Sequence, residues 1–174
     1  MVTVEELEYK LINDPEIKKE YHRVILLSRF EALCLKIKSD KKYENKIRSL
    51  YRQTYDKINT TLNIIKNDFD TQISLEDATL MTQWILANLS KKDQRDPKCT
   101  SLEVKKKLYK LQNGLCALCG EPLGEDMLYI HVDHIIPFTY VGDELKDNYQ
   151  DLCENCNKRK GKKINYILKK LLKI

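Results

Sequence analysis

Along the first ninety residues, apolar side chains recur at spacings of mostly three and four, the period of one face of a helix. Thr3-x-x-Glu6 is a capping box ahead of a short helix. Asp14-Pro15 supplies an N-cap and a proline at the first helical position, which opens a helix to about Ile37. Ser39-Asp40 breaks the pattern and caps the next helix, on which Tyr43, Ile47, Leu50, Tyr51, Ile58, Leu62, Ile65 and Phe69 form one sustained stripe. Ser74-x-x-Asp77 caps a fourth helix to about Leu89, carrying Leu80 and Trp84. Such a stripe is either the core of a small helical domain or an αα-hairpin that dimerises or faces a nucleic acid. Its tyrosines alternate with Ile and Leu at helical spacing, which argues for packing. His22, set among Tyr21, Val24 and Ile25, reads as structural.

The pattern changes after residue 90. Lys91–Lys98 is polar and carries a proline, so residues 91–99 read as a linker. Thr100-x-x-Glu103 caps a further helix, which Asn113-Gly114 ends by a left-handed stop. Beyond it come a knuckle at 116–119, turns at Gly120, Pro122 and Gly124, a strand over Leu128–Ile136, a loop across Gly142 and a helix from near Cys153. The expected fold class is therefore mainly α with a small α+β module. A helical domain spans 1–90, and a second domain spans 100–174 and ends in a basic helix.

Composition narrows the class. With 42% hydrophobic and 33% charged residues, the chain reads as an ordinary globular protein. No apolar run approaches the roughly 18 residues of a membrane span. The acidic start, Met1-Val-Thr-Val-Glu-Glu-Leu-Glu, lacks an apolar signal core, so a cytoplasmic protein with reduced thiols is expected. Four of the six cysteines form two Cys-x-x-Cys pairs, Cys116/Cys119 and Cys153/Cys156. In a reducing compartment this pairing favours a structural zinc over disulfides. Cys34 and Cys99 receive no role.

Net charge is +5, but its distribution says more. Residues 111–157 hold one basic residue, Lys146, against nine acidic ones, whereas residues 158–174 hold eight basic residues and no acid. An acidic centre beside a basic tail suits a protein that must bind both a cation and a polyanion. Lys158, Arg159, Lys160, Lys162 and Lys163 are the candidate phosphate contacts; the alternative is an ordinary solvated run.

Between the cysteine pairs stands His131-Val132-Asp133-His134-Ile135-Ile136-Pro137, followed by Asn148 and, after the last cysteine, Asn157. His134 is the natural general base, since imidazole titrates near neutrality. Asp133 and Asn157 offer hard oxygens to one divalent cation, Mg²⁺ or Mn²⁺. His131 shares a strand face with Asp133 and either supports the metal shell, touches a phosphate or is a plain strand residue. Asp133 and His134 point to opposite faces of a regular strand, so the strand should end or distort at this pair.

Over about residues 114–163 these motifs resemble the HNH endonuclease family, the ββα-metal fold in its zinc-stapled, four-cysteine form. The resemblance implies a DNA endonuclease in which Asn148 pins the loop that orients His134 and Asn157 stands at the last position of the family's name. It also implies DNA as partner, with the N-terminal helices setting target choice or a homodimer. A restriction-type enzyme on duplex DNA is the first reading, and a phage or mobile-element nicking enzyme the second. The rival from another class is a non-catalytic zinc-stabilised module that binds nucleic acid.

Overall fold

The computed structural model describes Tyr9 and residues 13–164. The capping box at Thr3 and the basic tail beyond Ile164 lie outside the described residues. From Pro15 onward the described residues form four helices in succession: α1 (Pro15–Ser39), α2 (Lys41–Gln53), α3 (Lys57–Phe69) and α4 (Leu75–Ser90). Side-chain caps fix the starts of all four. Asp14 accepts from the Glu16 and Ile17 N–H groups, and Asp40 from those of Lys42 and Tyr43. Asp56 accepts from Asn59 N–H and Ser74 from Asp77 N–H. Each satisfies a donor that a helix start leaves without an intrahelical partner.

The stripe from Tyr43 to Phe69 is not one helix, as its periodicity suggested. It breaks at Thr54–Asp56, where the Asp56 carboxylate restarts the helix and Tyr55 is fully exposed. The break costs the stripe little, because Tyr43, Ile47 and Tyr51 on α2 and Ile64 and Ile65 on α3 all enter the same core. A chain of buried hydroxyls crosses that core. Tyr51 OH lies 2.7 Å from Thr61 Oγ1, which lies 2.6 Å from Thr82 Oγ1, and Thr82 donates to the Ala78 carbonyl. Buried hydroxyls are tolerated only when bonded in this way.

The second part is built on two five-residue strands, β1 (Ile130–His134) and β2 (Tyr149–Cys153), paired antiparallel. Asp133 stands opposite Gln150 and His134 opposite Tyr149. The helix α5 (Leu102–Leu111) precedes them, α6 (Phe138–Val141) joins them, and α7 (Glu154–Lys160) follows. Ser101, not Thr100, caps α5, because Asp96 first caps a 3-10 turn over Pro97–Thr100 that uses Thr100 as its last residue. Asn113 and Gly114 both take positive φ and end α5 as expected. β1 is shorter than Leu128–Ile136. Leu128 and Tyr129 follow a turn at Met127, which has φ +61°, and are exposed, while Ile136 leaves the ladder for the Asn148 side chain.

The two parts share a core. Ile136, Val141 and Ile164 pack with Phe30, Leu33, Met81 and Trp84 of the helices. Polar contacts follow the same seam. Asn88 donates to the Tyr140 carbonyl, Lys91 to the Thr139 carbonyl, and the Tyr140 hydroxyl to Glu31. Residues 91–99, read as a linker, are folded onto the β1–β2 connection. At its closest point Gly142 faces Lys91, and a Cβ there would lie 2.9 Å from the Lys91 Cβ. Gly142 also has φ +60° and ψ −147°, a region open essentially to glycine alone. Replacing Gly142 with Ala is therefore expected to lower stability by about 1–3 kcal/mol. Urea denaturation checks this; a variant as stable as the wild type would mean that the seam opens without strain.

Candidate active site

The register of β1 and β2 decides where the chemistry sits. β1 ends at His134, so Asp133 and His134 are the last two residues of the ladder, and the strand ends at this pair as expected. The turn beyond is held by Asn148. Its side chain accepts from the Ile136 N–H at 2.7 Å and donates to the Ile136 carbonyl at 2.8 Å, while its carbonyl accepts from Ile135 N–H. The amide thus pairs with the backbone as a neighbouring strand would.

His134 is only 3% exposed. Its Nε2 lies 2.8 Å from Asp143 Oδ1, and its ring packs against Phe138 and Tyr149, with centroids 5.6 and 4.8 Å away. Burial holds the imidazole below its ordinary pKa, against the raising pull of Asp143. Burial pushes the Asp143 carboxyl up, but the Asp96 N–H, the Tyr149 hydroxyl and His134 outweigh it, and Asp143 stays below the usual carboxylate value. A neutral imidazole beside an ionised carboxylate is the state that can accept a proton at neutral pH.

Asp133 meets Lys160. The Lys160 ammonium, 3% exposed, lies 2.7 Å from Asp133 Oδ2 and donates to the His134 carbonyl at 2.6 Å. Gln150, opposite Asp133 in the ladder, donates to the same Oδ2 at 3.3 Å. Among the described residues Asp133 Oδ1 has no hydrogen-bond partner, and neither does the Asn157 side chain. Asn157 lies one turn before Lys160 on α7, hence on the face that lies over Asp133. These two oxygens are hard donors on facing elements and fit a divalent cation in kind. His131 pairs with Leu152 in the ladder, two residues before Asp133 on the same strand face.

The basic candidates separate into two groups. Lys158, Arg159, Lys162 and Lys163 are exposed, and Lys158 pairs with Glu154 on its own helix. Lys160 does not join them: it is buried under the site. Its place was readable in principle, since it stands three residues after Asn157, but a run of basic residues hides one member that turns inward. Asp143 had no such signal. Only the fold of the connection brings it to His134.

At the other end of the ladder the four cysteines converge. Cys116, Cys119, Cys153 and Cys156 place their sulfurs within 4.8 Å of one another, and none is in a disulfide. Tetrahedral zinc with Zn–S near 2.3 Å needs sulfurs about 3.8 Å apart, so the set fits. Backbone groups are already aimed at it: Cys153 N–H lies 3.4 Å from the Cys116 sulfur and Cys156 N–H 3.5 Å from that of Cys153. Burial pushes the Cys116 thiol up, but N–H groups of Cys119, Cys153 and Leu118 outweigh it and bring it to about 7. Beneath the knuckle Gln112 brackets the Asp151 backbone, accepting from its N–H and donating to its carbonyl. The Asp151 carboxylate is fully buried with no hydrogen-bond partner among the described residues, and burial pushes its pKa up to about 6.

Among known proteins, residues 116–163 match the family model of HNH endonuclease. No curated protein and no solved structure matches the chain. The match covers this segment alone, and what it supports is nuclease chemistry on nucleic acid in general.

Replacing Cys119 or Cys153 with Ser is expected to release the metal and unfold the module around it, because binding energy at a structural zinc is folding energy. Elemental analysis of the wild type should find about one zinc per chain. A protein with no zinc that keeps its full circular dichroism signal in strong chelator would remove the staple.

Proposed function

We propose that this chain is a metal-dependent DNA endonuclease that hydrolyses phosphodiester bonds, of restriction type on duplex DNA. The observation that carries the reading is the joint placement of Asp133 and His134 at the end of β1 with Asn157 on the facing turn of α7. Hydrolysis needs an activated water and relief of charge on the scissile phosphate and departing oxygen. His134 accepts the proton from the water. Asp133 and Asn157 would hold Mg²⁺ or Mn²⁺, which would supply positive charge against the phosphate and the leaving group. Asn148 keeps the Ile135–Ile136 turn, and with it His134, in place. Lys160 holds Asp133 in one orientation through Oδ2 and leaves Oδ1 for the cation. The exposed Lys158, Arg159, Lys162 and Lys163 meet the phosphate backbone beside the site.

A nicking enzyme is the second reading, and one observation favours it. The stripe that could have made a dimer face places Tyr43, Ile47, Tyr51 and Ile65 in the chain's own core. One site cuts one strand.

Purified protein should nick or linearise plasmid DNA in Mg²⁺ or Mn²⁺ and lose this in EDTA. His134→Ala should lower the rate by about 10²–10⁴-fold while leaving folding and DNA binding intact, the usual contribution of a general base. A His134→Ala protein that cuts at the wild-type rate would take the base away from His134. Neutralising Lys158 and Arg159 together should flatten the log–log salt dependence of DNA binding by roughly 0.9 per lost contact, alike on all sequences. An unchanged slope would return these residues to plain solvated surface.

A further inference from the structure

His134 has two ring nitrogens, and only one can serve as a base. Nε2 lies 2.8 Å from Asp143 Oδ1, and Nδ1 has no hydrogen-bond partner among the described residues. An ionised carboxylate only accepts, so this contact requires the ring proton on Nε2 and leaves the lone pair on Nδ1. Neutral imidazole chooses between its tautomers by the partner that each nitrogen meets.

We propose that Asp143 is the positioning residue of this site: it fixes the orientation and the Nε2–H tautomer of His134, so that Nδ1 takes the proton from the attacking water. The role of that water rests on the endonuclease reading above; the hydrogen bond that sets the tautomer does not.

Asp143 is itself held at both oxygens. The Tyr149 hydroxyl donates to Oδ1 at 2.8 Å, and the Asp96 N–H donates to Oδ2 at 2.8 Å. The carboxylate therefore cannot turn away from the ring without breaking a backbone contact. The ring cannot turn without moving against Phe138 and Tyr149. The Arg95 guanidinium in turn lies over the Phe138 ring, 5.1 Å from its centroid. A buried histidine with an acidic partner is often no more than a satisfied core pair. Here the pair adjoins Asp133 at the end of the strand, and the second nitrogen is left without a partner. The arrangement is that of an acid orienting a catalytic imidazole, with Asp143 acting through His134 and touching no substrate.

Asp143→Asn gives a directed test. The Asp96 N–H is backbone and cannot reorient, so it selects the amide oxygen at the Oδ2 position. The amide NH₂ then faces His134 and donates to Nε2, while the Tyr149 hydroxyl is free to rotate. The tautomer should invert, placing the proton on Nδ1. The measurement is long-range ¹H–¹⁵N correlation on the full chain, zinc-loaded, with histidine ¹⁵N-labelled and no other divalent ion added. It is made at a pH where the rings are neutral, and His134→Ala assigns the signal among the three histidines. Wild-type His134 is expected as the Nε2–H tautomer and Asp143→Asn as the Nδ1–H tautomer. The variant should melt as the wild type does, keep its zinc, and bind DNA as tightly. Its plasmid cleavage should fall by roughly 10²–10⁴-fold in kcat, the loss expected of a wrong tautomer with intact geometry. A wild-type His134 with its proton on Nδ1 overturns the proposal, and it does so even if the variant fails to fold. So does an inverted tautomer with undiminished cleavage. A wild type that never cuts DNA overturns the endonuclease reading and, with it, the task assigned to Nδ1; the tautomer result then judges the hydrogen bond alone.

Discussion

A ladder of two five-residue strands cannot hold its own shape in water. Everything at the site depends on what fastens the ends of that ladder. At one end Cys153 closes β2, and Cys116, Cys119 and Cys156 gather around it in a set that fits zinc. At the other end Asn148 stitches the turn after His134, and Ile136 and Val141 plug into the helical core. Fixing both ends fixes the register. A slip by one residue would send Asp133 and His134 to each other's faces.

The charge pattern acquires a physical meaning from Lys160. The acidic stretch and the basic tail are separate blocks in the sequence, and they meet where this ammonium lies buried between the Asp133 carboxylate and the His134 carbonyl. A buried charge is tolerated only with such partners. Lys160 therefore ties α7 to β1 electrostatically, one turn after Asn157, while Lys158, Arg159, Lys162 and Lys163 stay on the surface. A rule that counts charges sees five equivalent residues there; burial divides them.

The helices and the cysteine pairs were legible in the sequence because both are local signals. A cap lies within three residues of the donor it satisfies, and a knuckle within four residues of itself. The Asp-His pair and its place at a strand end were legible for the same reason. Contacts with no local signature were not. Asp143 reaches His134 through the path of the connection, and Asp96 reaches Asp143 from a segment that composition marks as a linker. The break at Thr54–Asp56 was missed because the apolar period runs through it; a carboxylate able to restart a helix was the overlooked cue. Asp151 shows the same limit: the strand that carries it, Tyr149–Cys153, was not among the expected elements, and nothing in the chain announces a carboxylate sealed away with no hydrogen-bond partner among the described residues.

The folding of residues 91–99 onto the β1–β2 connection bears on how such a chain could be recombined. The helical region and the segment that matches the HNH model look interchangeable on paper, joined by a polar stretch inviting a cut. Yet Gly142 accepts Lys91 at a distance that admits no side chain, and the Asp96 N–H reaches the acid behind the histidine. A chimera spliced anywhere in that stretch would keep every motif residue and lose the surface that shapes the loop between them. The unit of exchange is then the HNH segment together with the strap that precedes it and the helical face on which it sits.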